Sequence, residues 1–274
     1  MANLRAEELS MEITRYCNLD CKHCFRGESQ NAFMSTETIY NLISNLSEIE
    51  KLVLSGGEPF MAVRQLNDVA DAIRRNSVKV NQISIVTNGT ILNTEVIRAL
   101  EKLQMVCRNL SIKVSNDKFH QMELERKGLK NRRLVNFDLL SKMFGAELYG
   151  TPRREQVLSL IEYVGKAKRL TQDDMDRINE WGEYPTLYAL TNANIFFGAN
   201  LTVKYETPYC DVDTMTIKNL TNIDVDGYLS DSYASYEDAD SHRDLACNIN
   251  YVGLLLAVGN NLDRIQEGTK KGLK

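Results

Sequence analysis

The chain has 274 residues, 33 Lys and Arg against 37 Asp and Glu, and a formal net charge of −4. That length buries a full core in one large domain or two small ones, and the 43% hydrophobic, 26% charged composition is that of an ordinary globular protein. The acidic balance gives no support to a nucleic-acid surface, the N-terminus lacks a secretory pattern, and the apolar run around Leu254 to Val258 is too short to cross a bilayer.

The sequence therefore reads as cytoplasmic, with no membrane partner and with reduced thiols. Met11 to Thr14 is a short strand leading into Cys17-Asn-Leu-Asp-Cys21-Lys-His-Cys24. About ten residues precede it, too few for a leader-binding module of the usual size. Ser35 to Leu46 is a helix, capped by Ser35 or Thr36, with Ile39, Leu42, Ile43 and Leu46 at helical spacing. Lys51 to Leu54 is strand-like and ends in Ser55-Gly56-Gly57-Glu58-Pro59. Val63 to Arg74 is a helix with Leu66, Val69, Ala70 and Ile73 on one face.

Gln82 to Val86 is a strand closing on Thr87-Asn88-Gly89-Thr90, and Thr94 to Leu103 is the next helix. Leu110 to Val114 is a strand that runs into Ser115-Asn116-Asp117. Phe144 to Tyr149 and Val157 to Val164 supply two more strands, the second readable equally as a helix. Asn194 to Tyr205 and Met215 to Ile223 look extended, and Asp224-Val-Asp-Gly227 turns between strands, so Leu201 to Leu229 forms a β-rich appendage. A last helix, Ala246 to Val258, precedes a basic tail.

Repeated βα units imply an α/β fold with a parallel sheet, a barrel or part-barrel if it closes, whose chemistry sits at the C-terminal strand ends. All four polar loops just quoted fall there. The chain divides into a barrel domain, 1–190, and a β-rich appendage with a terminal helix, 191–274.

Three of the six cysteines stand together as C-x3-C-x2-C. A disulfide knot, a zinc site and an iron–sulfur cluster with one metal corner open all use such a loop. Reduced thiols argue against the first. Zinc would take the three thiolates with His23, but structural zinc usually draws on two ligand pairs, and no second Cys or His pair lies close behind. Three thiolates on a cubane leave one iron without a protein ligand, where a small molecule can chelate it. In the second loop, Gly56 and Gly57 remove Cβ atoms so that backbone and ligand approach closely. Their carbonyls, with Glu58 near by, make a receptor for an ammonium group.

Cys17-x3-Cys21-x2-Cys24, then Gly56-Gly57-Glu58-Pro59, then Thr87-Asn88-Gly89-Thr90, in that order on successive strand ends, resembles the radical S-adenosylmethionine (radical SAM) superfamily. The resemblance covers Met11 to Asp117 well and the rest loosely. It implies a partial (β/α)6 barrel in which Cys17, Cys21 and Cys24 hold one [4Fe–4S] cluster. The amino and carboxylate groups of S-adenosyl-L-methionine would then bind the fourth iron. Gly56, Gly57 and Glu58 would contact the methionine amino group, with Pro59 shaping the turn. His23 stands where the family commonly has an aromatic residue that packs on adenine.

By the same resemblance, Thr87 and Asn88 match strand-end residues near the cofactor, and Ser115 with Asp117 matches the strand end that touches the ribose or carboxylate. Val164-Gly165-Lys166-Ala167 looks like a Gly-Arg-Ala loop in which lysine has lost the bidentate donor. The C-terminal region is similar to a SPASM/twitch-like appendage stripped of its cysteines. The implied activity is reductive cleavage of S-adenosylmethionine to methionine and a 5′-deoxyadenosyl radical, which abstracts hydrogen from a substrate. That substrate would be a ribosomal peptide, a nucleotide or another small metabolite. An external electron donor such as flavodoxin or ferredoxin is implied as well. The rival reading is a non-catalytic zinc or iron–sulfur binding module.

The remaining features read more plainly. Cys107 is a small buried hydrophobe, and Cys210 and Cys247 show no CxxC spacing. Asn222 to Gly227 mimics the start of a calcium loop, but Tyr233 stands where the bidentate Glu belongs, so a hairpin turn is expected. The acidic stretch from Asp211 to Asp244 reads as a solvated face, and Arg153 with Arg154 as a surface pair. His120 and Tyr149, near strand ends, are candidates to line the substrate side.

Overall fold

The computed structural model describes residues 3–149, 160–162, 165–171, 173–174, 186–188, 200–204, 214–230, 236–241 and 248–254. The first elements follow the βα alternation: β1 (Asn3–Thr14), α1 (Thr36–Ser44), β2 (Glu48–Gly56), α2 (Val63–Arg75), β3 (Lys79–Thr87), α3 (Thr94–Met105) and β4 (Asn109–Ser115). Local signals explain the boundaries. Ser35 accepts the Thr38 N–H at 3.0 Å and Asn93 accepts the Val96 N–H at 2.9 Å, so each side chain satisfies a donor left open by the first helical turn. β1 starts eight residues before the expected Met11, because Glu7 and Glu8 hide its apolar alternation; Glu8 pairs with Lys51 of β2 at 2.6 Å.

Strands β1 to β4 are parallel, and β5 (Glu147–Tyr149) adds to the β4 edge. One face of this sheet shares a core with α1, α2 and α3, through Leu9, Met11, Leu52, Leu54, Ile83, Ile85 and Ile112 against Ile39, Leu42, Leu66, Val69, Leu100 and Leu103. The opposite face is polar. The register sets Ser10 beside Val53, Val53 beside Ser84 and Ser84 beside Ser111, while Glu12 stands beside Ser55 and Val86 beside Lys113. Side chains alternate between faces along a strand, so these rows look away from the helices.

Two helices, α4 (Lys118–Arg126) and α5 (Lys130–Phe144), occupy a region for which no element was expected. Phe144 ends α5 instead of opening a strand, and Gly145, at φ 66°, provides the left-handed stop. Of Val157 to Val164, the described part is the strand β6 (Leu160–Glu162), which pairs in parallel with β7 (Thr186–Tyr188).

The Asp224–Gly227 turn joins β9 (Thr214–Ile223) to β10 (Leu229–Ser230) as expected. β9 lies parallel to β1 in the main sheet, and β8 (Asn200–Lys204) pairs antiparallel with Thr214 to Lys218 of β9. The sheet therefore runs β10-β9-β1-β2-β3-β4-β5 and does not close among the described residues, the organisation of a partial barrel. Of the expected helix from Ala246 to Val258, residues 248–254 are described, and there it is interrupted. Ile249–Val252 is helical, and Gly253 at φ 72° ends that segment. No helix among the described residues is long and apolar enough to cross a membrane.

Candidate functional site

The cysteine loop leaves the end of β1 and is fastened to every neighbouring strand end. Gly57 donates its N–H to the Thr14 carbonyl and Glu58 donates its own to the Tyr16 carbonyl, both at 2.8 Å. The double glycine is required by this docking. A Cβ on Gly56, whose φ is 137°, would lie 1.9 Å from the Thr14 oxygen, and one on Gly57 would lie 2.4 Å from the Tyr16 oxygen. Backbone meets backbone here, and the bend stands on the same rim as the thiols.

The third strand end joins them. Asn18 donates to the Thr90 hydroxyl at 2.8 Å and accepts from the Asn88 amide at 3.0 Å, while that same amide lies 3.9 Å from the Cys17 sulfur. From α4, Glu123 accepts the Asp20 N–H at 2.9 Å, and Lys127 donates to the Asn18 carbonyl at 2.6 Å. Lys166 donates its backbone N–H to the Cys24 carbonyl at 2.9 Å, and its ammonium pairs with Asp20 and Glu28. Its charge is thus committed to the loop's own carboxylates.

Cys17, Cys21 and Cys24 are free thiols, packed among Leu19, Leu124 and Leu129. Burial pushes the Cys17 thiol up to about 12, with the charges of Glu58 and Cys24 adding to the effect. Burial also raises Cys21, reinforced by Asp117, Cys24 and Cys17. Thiols such as Cys17 and Cys21, held from ionising by burial and neighbouring charges, are a poor arrangement without a cation and a good one around an iron–sulfur core. The donor set fits such a group.

Glu58 is 1% exposed. Its Oε1 accepts from the Phe60 N–H at 3.0 Å and the Thr87 hydroxyl at 2.6 Å, and its Oε2 accepts from the Asn88 N–H at 2.7 Å. Burial pushes its carboxyl up, and the Thr87, Asn88 and Phe60 donors oppose that rise. The side chain ties the second loop to the third.

Asp117 caps α4, accepting the His120 N–H at 3.0 Å. Its other oxygen lies 2.6 Å from His120 Nδ1, and its first lies 3.4 Å from His23 Nε2. Burial opposes ionisation of Asp117, but the two imidazoles hold its carboxyl well below the usual range. His23 stacks on Phe119 with ring centroids 4.7 Å apart and planes within 10°. The structure thus brings His120, a candidate from the sequence, against His23. The Cys21 sulfur and a ring nitrogen from each of His23 and His120 lie within 4.8 Å of one another.

Sequence reasoning missed Arg133. It is 5% exposed on α5, donates Nη2 to the Ser115 carbonyl at 2.8 Å, and leaves Nε buried with no hydrogen-bond partner. Burial lowers its pKa, while the charge of Asp117 acts the other way. A buried guanidinium with a spare donor beside Ser115 and Gly89 suits a carboxylate. The only signal in the sequence was an arginine inside an unassigned stretch.

Two other expectations changed. The acidic stretch is not uniformly solvated: Asp224 is 1% exposed and faces Arg15, and Asp240 pairs with Arg15. Asp224 Oδ1 accepts the N–H groups of Asp226 and Tyr228, which makes the calcium-like run a side-chain-stabilised turn. Tyr149 stands exposed on the edge strand, 5.3 Å below the Lys113 ammonium. Arg153, Arg154, Cys210, Tyr233 and Cys247 lie outside the described residues.

The family model of the radical SAM superfamily matches residues 11–167. The chain belongs to the radical SAM superfamily. Members of this enzyme superfamily use S-adenosylmethionine and an iron–sulfur cluster. Over 140 residues the radical SAM chain is 29% identical to the AdoMet-dependent heme synthase of Methanosarcina barkeri, covering 49% of this chain and 39% of that protein. It is 35% identical over 89 residues to a probable GTP 3′,8-cyclase of Methanothermobacter marburgensis, covering 31% of this chain and 28% of that protein. Among solved structures, SuiB of Streptococcus suis bound to S-adenosylmethionine aligns at TM-score 0.46 and 14% identity, over 90% of this chain and 64% of that one. The radical SAM chain spans half or less of the length of the curated relatives it matches.

Proposed function

We propose that Cys17, Cys21 and Cys24 hold one [4Fe–4S] cluster, that the adjoining strand ends bind S-adenosylmethionine, and that the protein abstracts hydrogen from a polar substrate. One observation carries this reading: the three thiols, the Gly56–Gly57 bend and the Thr87–Thr90 turn meet on a single rim through direct hydrogen bonds. When bound, the cluster supplies the electron that splits the sulfonium into methionine and a 5′-deoxyadenosyl radical.

The chain's own residues bind and orient. The carbonyls of Gly56 and Gly57 receive the ammonium group, while Glu58 and Pro59 fix the bend that presents them. Arg133 Nε and the Ser115 strand end receive the carboxylate. His23, flat on Phe119, offers an aromatic floor for adenine, and Thr87, Asn88 and Asp117 hold the surrounding turns in place. Lining the polar sheet face, Ser10, Ser55, Ser84 and Ser111 favour a hydrogen-bonding substrate, such as a peptide or a nucleotide, over an apolar one. An external donor such as flavodoxin or ferredoxin, a cytoplasmic setting, and a division into a 1–190 barrel and a 191–274 C-terminal unit belong to the same reading.

Anaerobic reconstitution is expected to give about four irons and four sulfides per chain. With a reductant and S-adenosylmethionine the protein should then release 5′-deoxyadenosine. Cys24→Ala should abolish both; undiminished cleavage in that variant sinks the ligand assignment.

A second reading has one specific observation in its favour. Cys21, His23 and His120 form a donor set for zinc, with Asp117 hydrogen-bonded to His120 and 3.4 Å from His23 Nε2, a carboxylate placed as metal-bound histidines usually require. Colourless protein containing zinc and no labile sulfide after anaerobic purification would favour it.

A further inference from the structure

Both ends of the cysteine loop are gripped by residues from far down the chain, Asp224 and the helix Tyr236–Ser241. Arg15 precedes Cys17 by two residues and Arg26 follows Cys24 by two. The Arg15 side chain is 2% exposed and donates to Glu12 Oε1 at 2.7 Å, Gln30 Oε1 at 3.1 Å, and both Asp240 oxygens at 2.8 and 3.0 Å. Asp224 lies 3.5 Å from its Nη2, and its guanidinium sits 4.8 Å over the Tyr236 ring. At the other end, Tyr236 donates its backbone N–H to the Arg26 carbonyl at 2.8 Å, and Arg26 Nη1 lies 3.6 Å from Glu12 Oε2. The stem between the two ends is closed by Arg15 N–H to the Ala32 carbonyl at 2.9 Å and Gln30 N–H to the Arg15 carbonyl at 3.1 Å.

We infer that Asp224, Tyr236 and Asp240 form a clamp on the thiol loop, with Arg15 and Arg26 as positioning residues that fix its ends and hence the spread of Cys17, Cys21 and Cys24. The turn from Asp224 to Gly227 is itself anchored. Asn248 and Asn250 both donate to the Asp226 carbonyl, at 2.9 and 3.2 Å, and Asn250 also donates to Thr38 of α1 at 3.0 Å. The clamp therefore bears on a fixed part of the fold. The buried Arg15 guanidinium tolerates little displacement, because it needs its partners, the more exposed Asp240 among them, to offset desolvation. Releasing Asp240 frees one end of the loop and leaves the sheet intact.

The clamp rests on the cluster reading only in the second arm of its test. In the first arm, the reduced, metal-free full-length chain is alkylated with iodoacetamide and each thiol is followed by mass spectrometry. Asp240→Asn should speed alkylation of Cys17 and Cys24 roughly tenfold, the effect of one lost charge-assisted interaction on a local opening. Cys107 should keep its rate, Asp240→Glu should restore slow reaction, and Glu237→Gln, on the same helix Tyr236–Ser241, should change nothing. Equal Cys17 and Cys24 rates in wild type and Asp240→Asn overturn the clamp, as does an equal acceleration at Cys107, which would mean general loosening.

In the second arm, reconstituted Asp240→Asn should show a broadened electron paramagnetic resonance signal of the reduced cluster and faster bleaching in air. An unchanged signal and bleaching rate overturn the positioning role. A wild type that takes up no cluster but shows the alkylation pattern upholds the clamp and sinks the cluster reading.

Discussion

Glu58 accepts the backbone N–H of Asn88 at 2.7 Å, in a carboxylate whose other oxygen takes the Thr87 hydroxyl at 2.6 Å. Three donors converge on two oxygens, so a side-chain amide in this place must turn its NH2 toward another N–H or a hydroxyl. Glu58→Gln is therefore expected to lose about 1–3 kcal/mol of stability. It should also lower iron retention, since the bend and the Thr87–Thr90 turn separate. Urea denaturation and iron analysis of the same preparation check both, and wild-type values for each would contradict this role.

The Gly57 position tests the docking of the bend against β1. Its absent Cβ would sit 2.4 Å from the Tyr16 oxygen, a backbone atom that cannot rotate away. Gly57→Ala should cost about 1–3 kcal/mol and displace the cysteine loop. A denaturant midpoint equal to that of wild type would show that the loop yields freely.

Arg133 separates cofactor binding from cluster binding. Arg133→Met fills similar space but removes the buried donors beside Ser115. Affinity for S-adenosylmethionine should fall about tenfold or more, while iron uptake stays at the wild-type level. Equilibrium dialysis with labelled cofactor measures the first and metal analysis the second. Unchanged affinity rejects the carboxylate assignment.

Asp117 gives a pH signature. Its folded carboxyl titrates below its ordinary value because of His120 and His23, against the opposing effect of burial. A depressed carboxylate stabilises the native state fully above its ordinary value, about 3.9, and loses that contribution as pH falls through the folded value. The stability advantage of wild type over Asp117→Asn should therefore be present at pH 5 and shrink from about pH 4 downward. Chemical denaturation across that range tests it; an advantage that grows on acidification contradicts the assignment.

Much of the first half was legible because its information is local. Ser35 announces its helix by capping it, and Leu66, Val69, Ala70 and Ile73 recur at helical spacing on α2. The cysteine spacing and the Gly56–Pro59 and Thr87–Thr90 runs mark the rim in the sequence itself. Helices α4 and α5 escaped for a physical reason. On α5, Leu134, Val135, Leu139 and Met143 are exposed while Arg133 and Asn136 are buried, so its apolar residues trace no single inward stripe.

The order of chemical groups along the chain was thus fixed by the sequence: thiols, double glycine, Glu58, then Thr87 and Asn88, each after a strand. Only the tertiary structure decided who meets whom across long separations. It set His120 against His23, Arg133 against the Ser115 carbonyl, and Asp240 against Arg15, and it laid β9 beside β1. Such contacts leave no period in the sequence, because they arise where buried charges and open strand edges find partners that local propensity does not supply.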